Sequence, residues 1–111
     1  SKLESETAYT LNRRIIQNFM DIIILKHLKD NCPMSGYDMI RYLNKKFHIL
    51  QSSGTIYSLL YSLERENLIE GSVYQRKRVY KLTNQGEKFL KEIQVTKGQI
   101  HAIFSSVFSE I

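Results

Sequence analysis

The sequence contains one cysteine, one proline and no tryptophan among its 111 residues. With Cys32 alone, no intramolecular disulfide can form, and a reducing compartment is the default expectation. No apolar run approaches the roughly 20 residues that cross a bilayer, and the longest such run covers residues 22–25. The first four residues have no signal-peptide character. We therefore expect a cytoplasmic protein.

Sequence motifs of enzymes are also missing. The chain has no glycine-rich phosphate loop, no nucleophile elbow and no paired-carboxylate motif. Cys32 with His27, His48 or His101 suggests a thiol nucleophile or a metal site, but no pair has ligand spacing such as C-x-x-C. We expect no catalytic residue, no metal and no cofactor. We place His27 and His48 at helix surfaces or ends, and Cys32 in a turn that packs in the core.

What the chain does have is positive charge. Lysine and arginine number 16 against 11 acidic residues, which gives a net charge of +5. The length suits one domain, residues 1–111. The excess of positive charge favours a polyanionic partner, although many basic proteins have none.

Apolar spacing and capping residues predict most of the helices. Residues 4–18 and 15–29 have helical patterns with an interruption near Asn18, and proline at position 33 stops the second. Ser35 begins another helix, because Asp38 three residues later completes a capping box. Thr83 caps the last helix, which extends from residue 84 almost to residue 111.

The helix that follows Ser52 and Ser53 has two contrasting faces. Its apolar stripe is Ile56, Leu59, Leu60 and Leu63. The opposite stripe is polar and contains Gly54, Ser58, Tyr61 and Arg65, flanked by Thr55, Tyr57 and Ser62. Hydroxyl and phenol groups of such a helix can contact phosphates and base edges in a major groove. Taken alone, Ser52 or Ser53 is more simply explained as an N-cap, and Glu64 and Glu66 as a solvated helix end.

Residues 71–82 predict a hairpin, because β-branched and aromatic residues flank a polar tip at residues 75–77. Arg76, Lys77 and Arg78 are consecutive cations there, and in a groove they would neutralise phosphates. A helix followed by a basic hairpin is the order of a winged helix. The predicted fold class is mainly α with a small β-hairpin, a winged helix-turn-helix with N-terminal and long C-terminal dimerisation helices.

The last helix, at 84–111, would be ~40 Å long, more than a domain of this size can cover. The apolar positions that we assign to dimerisation are Phe89, Ile93, Ile100, Ile103, Phe104, Val107 and Phe108. The distal half either folds back on residues 4–18 or pairs with a second subunit. We favour a two-fold dimer, because large uncovered apolar patches usually mark interfaces.

Four motifs in order, over roughly residues 20–90, resemble the PadR family of transcriptional regulators. They are Pro33-x-x-Gly36-Tyr37-Asp38, Ser52-x-Gly54-Thr55-Ile56-Tyr57, Leu63-Glu64-x-x-x-Leu68-Ile69 and Lys77-Arg78-x-Tyr80-x-Leu82-Thr83-x-x-Gly86. The resemblance implies a homodimer that binds palindromic double-stranded operator DNA, usually as a repressor. It also implies a small hydrophobic or phenolic effector near the dimer interface.

The resemblance makes the helix from Ser53 the recognition helix and residues 76–78 the wing, and it places the start of the preceding helix beside phosphate. The predicted DNA-binding residues are Ser35, Gly36, Tyr37, Ser52, Ser53, Thr55, Tyr57, Ser58, Tyr61, Ser62, Arg65, Arg76, Lys77 and Arg78. The family often has proline at positions 53 and 58 and an aromatic residue at 79, and the wing here is short. Aromatic-drug stacking on tryptophan, known in some relatives, does not carry over.

Two alternatives to a DNA-binding regulator stay open from the sequence. One is a winged helix whose tyrosine and hydroxyl face binds protein. The other is a redox- or metal-responsive switch that uses Cys32 and the histidines.

Overall fold

The computed structural model describes all 111 residues and contains five helices and three short strands. The elements are α1 (Lys2–Asn18), α2 (Met20–Asp30), β1 (Met34–Ser35), α3 (Gly36–Phe47), α4 (Ser53–Arg65), β2 (Ile69–Tyr74), β3 (Lys77–Leu82) and α5 (Asn84–Val107). The strands form one antiparallel sheet in the order β1-β3-β2. The predicted fold class, mainly helical with a winged helix-turn-helix, is confirmed. None of the helices is long and apolar enough to cross a membrane.

Local capping chemistry sets the helix boundaries, much as the sequence predicts. The break between α1 and α2 falls at Phe19, next to the predicted Asn18. At the start of α3, the Ser35 hydroxyl accepts from the Asp38 amide at 3.1 Å, and the Asp38 carboxylate accepts from the Ser35 amide at 3.0 Å. That backbone hydrogen bond lowers the pKa of Asp38. The predicted capping box is therefore present, and it holds the first turn of α3.

The sheet differs from the prediction in two places. Strand β1 was not predicted, because a two-residue strand shows no alternation; it pairs Met34 with Tyr80 on β3. The hairpin begins at Ile69 rather than residue 71, and its turn contains only Gln75 and Arg76. Both turn residues have left-handed backbone angles, with φ of 49° and 66°, as in the two-residue turns whose twist matches that of paired strands.

The core lies between α2, α3, α4 and the sheet. From α4 it receives Ile56, Leu60 and Leu63, with Leu59 half-buried, so the predicted apolar stripe is the buried face of that helix. Cys32 does not pack in this core, contrary to the prediction; it is exposed in the turn after α2. Met34, two residues further along, supplies the buried side chain there instead.

Two glycines of α5 allow a matched test of this packing. A methyl group on buried Gly86 would collide with the Leu68 carbonyl oxygen and lie 2.6 Å from Leu82 Cδ1, whereas one on Gly98 would meet nothing within 4 Å. We expect Gly86→Ala to lower the free energy of unfolding by about 1–3 kcal/mol through overpacking. Gly98→Ala should raise it by roughly 0.5–1 kcal/mol through helix propensity. Urea denaturation at one protein concentration measures both, and equal effects would contradict the described packing.

Candidate DNA interface and dimer face

The outer face of α4 consists of the predicted hydroxyl, tyrosine and arginine side chains. Tyr61 is 65% exposed, and the Arg65 guanidinium lies over its ring at 5.5 Å from the centroid. Most of the other predicted side chains of this helix are also exposed, namely Ser53, Thr55, Tyr57 and Ser58, while Ser62 is half-buried. The core holds the opposite face of the helix, so this polar face is presented to solvent on a rigid support.

The first turn of α4 uses some of its hydroxyls internally. The Ser52 oxygen accepts from the Thr55 amide at 3.1 Å and lies 2.8 Å from the Thr55 hydroxyl. Ser52 is therefore the N-cap, which was the simpler of the two interpretations of this residue. Both hydroxyls remain exposed, so capping does not remove them from the surface.

The start of α3 adjoins the α4 face. A methyl group on Gly36 would lie 2.8 Å from Tyr57 Cζ, so Gly36 gives the Tyr57 ring the space that it occupies. Tyr37 is exposed, with the Arg41 guanidinium 5.8 Å from its ring centroid. Ser35, by contrast, is buried and its hydroxyl is used in the capping box. Arg41 was missed by the sequence reasoning, although it lies one helical turn after Tyr37.

The wing exposes two of its three predicted cations without a carboxylate partner. Arg76 lies in the turn and Lys77 begins β3, and neither forms an ion pair. Lys77 is near enough to Asp38 to help lower the pKa of that carboxyl, although the Ser35 amide has the larger effect.

Arg78, the third cation, is bound within the molecule. Its Nη2 donates to Glu64 Oε2 at 2.7 Å, and its guanidinium lies 5.7 Å from the Tyr80 ring centroid. Glu64 is thus a half-buried partner of the wing, not the solvated helix end that the sequence suggested. Burial raises the pKa of the Tyr80 phenol, and the hydrogen bond to Glu64 raises the pKa of Arg78. Only the fold brings these residues together, so no local pattern indicated the pair.

The distal half of α5 carries the uncovered apolar face predicted for dimerisation. Ile103 and Val107 are 58% and 63% exposed, Ile100 and Phe108 are also exposed, and Phe104 is half-buried. The first part of the predicted set differs, since Phe89 packs against the core of its own chain and Ile93 is half-buried. Phe89 is covered because this part of α5 still lies against the core. The open face begins further along the helix, where α5 has left the core.

Helix α1 approaches this face without covering it. No residue of α1 is buried. Together the two helices border an open groove of about 470 Å³, and Phe19 and Phe104 meet across it with ring centroids 6.3 Å apart. The groove is lined by Leu11, Arg14, Ile15, Asn18, Phe19, Ile100, Ile103, Phe104, Val107 and Phe108. The sequence left open that the distal half of α5 is covered by residues 4–18 of the same chain. In the structure α1 lies beside it, but the apolar face of α5 remains open.

The histidines and the cysteine form no metal-binding group of three or more ligands. His27 is half-buried, and its ring stacks on that of Tyr42 with 3.5 Å between the ring centroids. Its side chain is therefore more enclosed than that of the helix-surface residue we predicted. Its burial lowers its pKa, with the nearby Lys46 acting in the same direction. His48 ends α3 in a left-handed conformation, as a helix-end residue. No three metal-ligating side chains of the histidine, cysteine or acidic types come together in the structure.

Comparison with known proteins gives a consistent result. The model of the transcriptional regulator PadR-like family matches residues 24–92, more than half of the chain. A crystal structure of a PadR family transcription regulator from Clostridium difficile R20291 shares 26% identity, with a TM-score of 0.68, over 81% of this chain and 97% of that one. No curated protein matches the sequence significantly.

Two further solved structures show the same fold at lower identity. A PadR-like transcriptional regulator from Bacillus cereus has a TM-score of 0.74 at 23% identity, over 88% of this chain and 99% of that one. A PadR family transcriptional regulator from Eggerthella lenta has a TM-score of 0.75 at 16% identity, with both chains covered completely. The similarity to this structure therefore includes α1 and the distal part of α5, which lie outside the family match.

Proposed function

Because the chain belongs to the PadR-like family of transcriptional regulators, we propose that it binds operator DNA as a two-fold dimer and represses transcription. The observation that carries this proposal is the exposed Tyr61 and Arg65 face of α4, which lies beside a wing with free cations. A regulator acts where its operator lies, so the proposed location is the cytoplasm. Membership of a family of transcriptional regulators also favours a regulatory function over an enzymatic one.

In the proposed complex, α4 enters the major groove and the wing contacts the adjacent backbone. Tyr57, Ser58, Tyr61 and Arg65 then face the DNA, with the amino-terminal hydroxyls of α4 nearest the base edges. Tyr37 and Arg41 lie toward phosphate at the start of α3. The two copies of α4 in a dimer would occupy successive major-groove segments ~34 Å apart.

The test starts from a random double-stranded library, since the operator is not known. Purified protein should select a palindromic site, here called the selected duplex, and bind it by fluorescence anisotropy more tightly than a scrambled duplex. A reporter with the selected duplex between promoter and start site should be silenced by the protein. No enrichment from the library would contradict DNA binding, and raised reporter output would contradict repression.

The wing cations give a prediction of their own. Arg76 and Lys77 are exposed and unpaired, so each should neutralise one phosphate. Because the proposed dimer carries two copies of the wing, we expect Arg76→Ala and Lys77→Ala each to reduce the slope of log affinity against log salt by about 2. Anisotropy titrations between low and moderate salt measure the slope, with Lys91→Ala on α5 as the control. Unchanged slopes for both wing variants would show that the wing does not contact DNA.

The groove between α1 and α5 supports the proposed regulation by a small hydrophobic effector. Eight of its ten lining residues are hydrophobic, and five of the ten belong to the face through which the dimer would form, so an effector there would act directly on subunit packing. A ligand there would shift the population between two spacings of the α4 helices. Operator affinity that stays constant across a broad panel of hydrophobic ligands would count against an effector, while leaving DNA binding itself intact.

A further inference from the structure

The Arg78 side chain joins the wing to the recognition helix. It leaves β3, crosses β2 at Gly71 and ends at Glu64 on α4 with a nitrogen–oxygen distance of 2.7 Å. A methyl group on Gly71 would lie 2.7 Å from Arg78 Nη2, so a side chain there would displace the guanidinium from this path. The ring of buried Tyr80 faces the guanidinium from within the same strand.

We propose that Arg78 is a positioning residue, which fixes the angle of the wing against α4 through Glu64, while Arg76 and Lys77 contact phosphate. This inference rests on the proposed DNA-binding function, and it assigns two different roles to the three cations of the wing. It also gives Glu64 and Gly71 a part in operator binding, although Glu64 is negatively charged like DNA and Gly71 has no side chain.

Electrostatics favours this assignment over a direct contact. Were Arg78 to move to phosphate, the Glu64 carboxylate would remain unpaired on the helix that faces DNA. The planar guanidinium suits a fixed geometry, because its fork can hold a carboxylate while its flat face lies on an aromatic ring. An exposed pair of this kind adds little to stability. The ion pair instead determines the position of the wing, because a two-stranded hairpin is only marginally stable without support from its neighbours.

Substituting Glu64 tests the proposal through the sign of the effect. Removing a negative charge beside DNA strengthens phosphate binding if Glu64 has no other role. Under the proposal, Glu64→Gln instead weakens binding to the selected duplex about three- to tenfold, because the wing is no longer held. Glu66→Gln is the matched control, since Glu66 is exposed, two residues away and without an ion-pair partner. Tighter binding by Glu64→Gln would overturn the proposal.

Arg78→Ala and Gly71→Ala should reproduce this loss by breaking the same contact. The combined Glu64→Gln and Arg78→Ala variant should bind no more weakly than either single variant, because one interaction is removed in all three. In Arg78→Ala the affinity falls because binding must order the wing, while Arg76 and Lys77 still reach phosphate in the complex. Its salt slope should therefore match that of the unmodified protein, unlike that of Arg76→Ala. A reduction of about 2 in its slope, from one contact in each subunit, would make Arg78 a phosphate contact and overturn the proposal.

A measurement on free protein separates this inference from the proposed function. Amide hydrogen exchange in β2 and β3 should accelerate severalfold in Glu64→Gln and Arg78→Ala, and stay unchanged in Glu66→Gln, with similar unfolding midpoints in urea. Unaltered hairpin exchange would refute the positioning role even if DNA binding holds. Accelerated exchange in a protein that selects no DNA would refute the DNA-binding function while leaving the link between wing and helix in place.

Discussion

Replacing Tyr61 and Arg65 together by alanine will lower affinity for the selected duplex about 30-fold or more. Both side chains lie on the exposed face of α4, and the arginine lies over the tyrosine ring. In a major groove each supplies a contact of about 1–3 kcal/mol when it reaches a base edge. Anisotropy titration with the selected duplex and its scrambled counterpart separates the loss of specific contacts from the loss of charge.

The fold should survive this double substitution. Neither side chain belongs to the core, so the free energy of unfolding should change by no more than about 1 kcal/mol, the value of an exposed cation–π contact. Lys91→Ala removes one exposed cation from α5 and should weaken binding far less. If the double variant bound the selected duplex as tightly as the unmodified protein, α4 would not be the recognition helix.

Introducing Glu at both Ile103 and Val107 will convert the proposed dimer to monomer and abolish high-affinity operator binding. Both side chains are more than half exposed in the single chain, so the substitution costs little in a monomer. At a two-fold interface it would bury four carboxylates, and buried unpaired charge is strongly destabilising. Sedimentation equilibrium at micromolar concentrations gives the oligomeric state, and anisotropy gives the accompanying loss of affinity.

Val95→Glu provides the matched control for the dimer face. Val95 is on the same helix and 85% exposed, but it lies about 80° from Ile103 and about 120° from Val107 around the helix axis, and about 12 Å or more before them along it. It is also absent from the lining of the groove. It should leave the dimer and its DNA binding intact. Dissociation by Val95→Glu, or a dimer that persists after both glutamates are introduced, would place the subunit interface elsewhere.

Local rules predicted the features that depend on neighbouring residues in the sequence. The stripe of Ile56, Leu60 and Leu63 follows helical spacing, and it is buried as expected. The Ser35 capping box and the end of α2 before Pro33 also follow from residues within one turn. The outer face of α4 was predictable for the same reason, since burying one side of a helix determines which side remains exposed.

The features that the sequence did not indicate depend on contacts between distant residues. Strand β1 exists because Met34 meets Tyr80 on β3, and Glu64 meets Arg78 across 14 positions of the chain. Periodicity likewise put Phe89 on one stripe with Ile103, but only the point at which α5 leaves the core decides that Phe89 is covered. These three features are determined by tertiary packing, which cannot be read from a short segment of the sequence.

Methylation protection on the selected duplex tests the central claim most directly, because guanine N7 lies on the floor of the major groove. A two-fold dimer that inserts α4 into successive segments should protect two groups of guanines, about 10–10.5 base pairs apart from centre to centre. The Tyr61 and Arg65 double variant should lose both groups at concentrations where the unmodified protein protects them. Bound DNA with no protected guanine N7, or with a single protected group, would contradict the account.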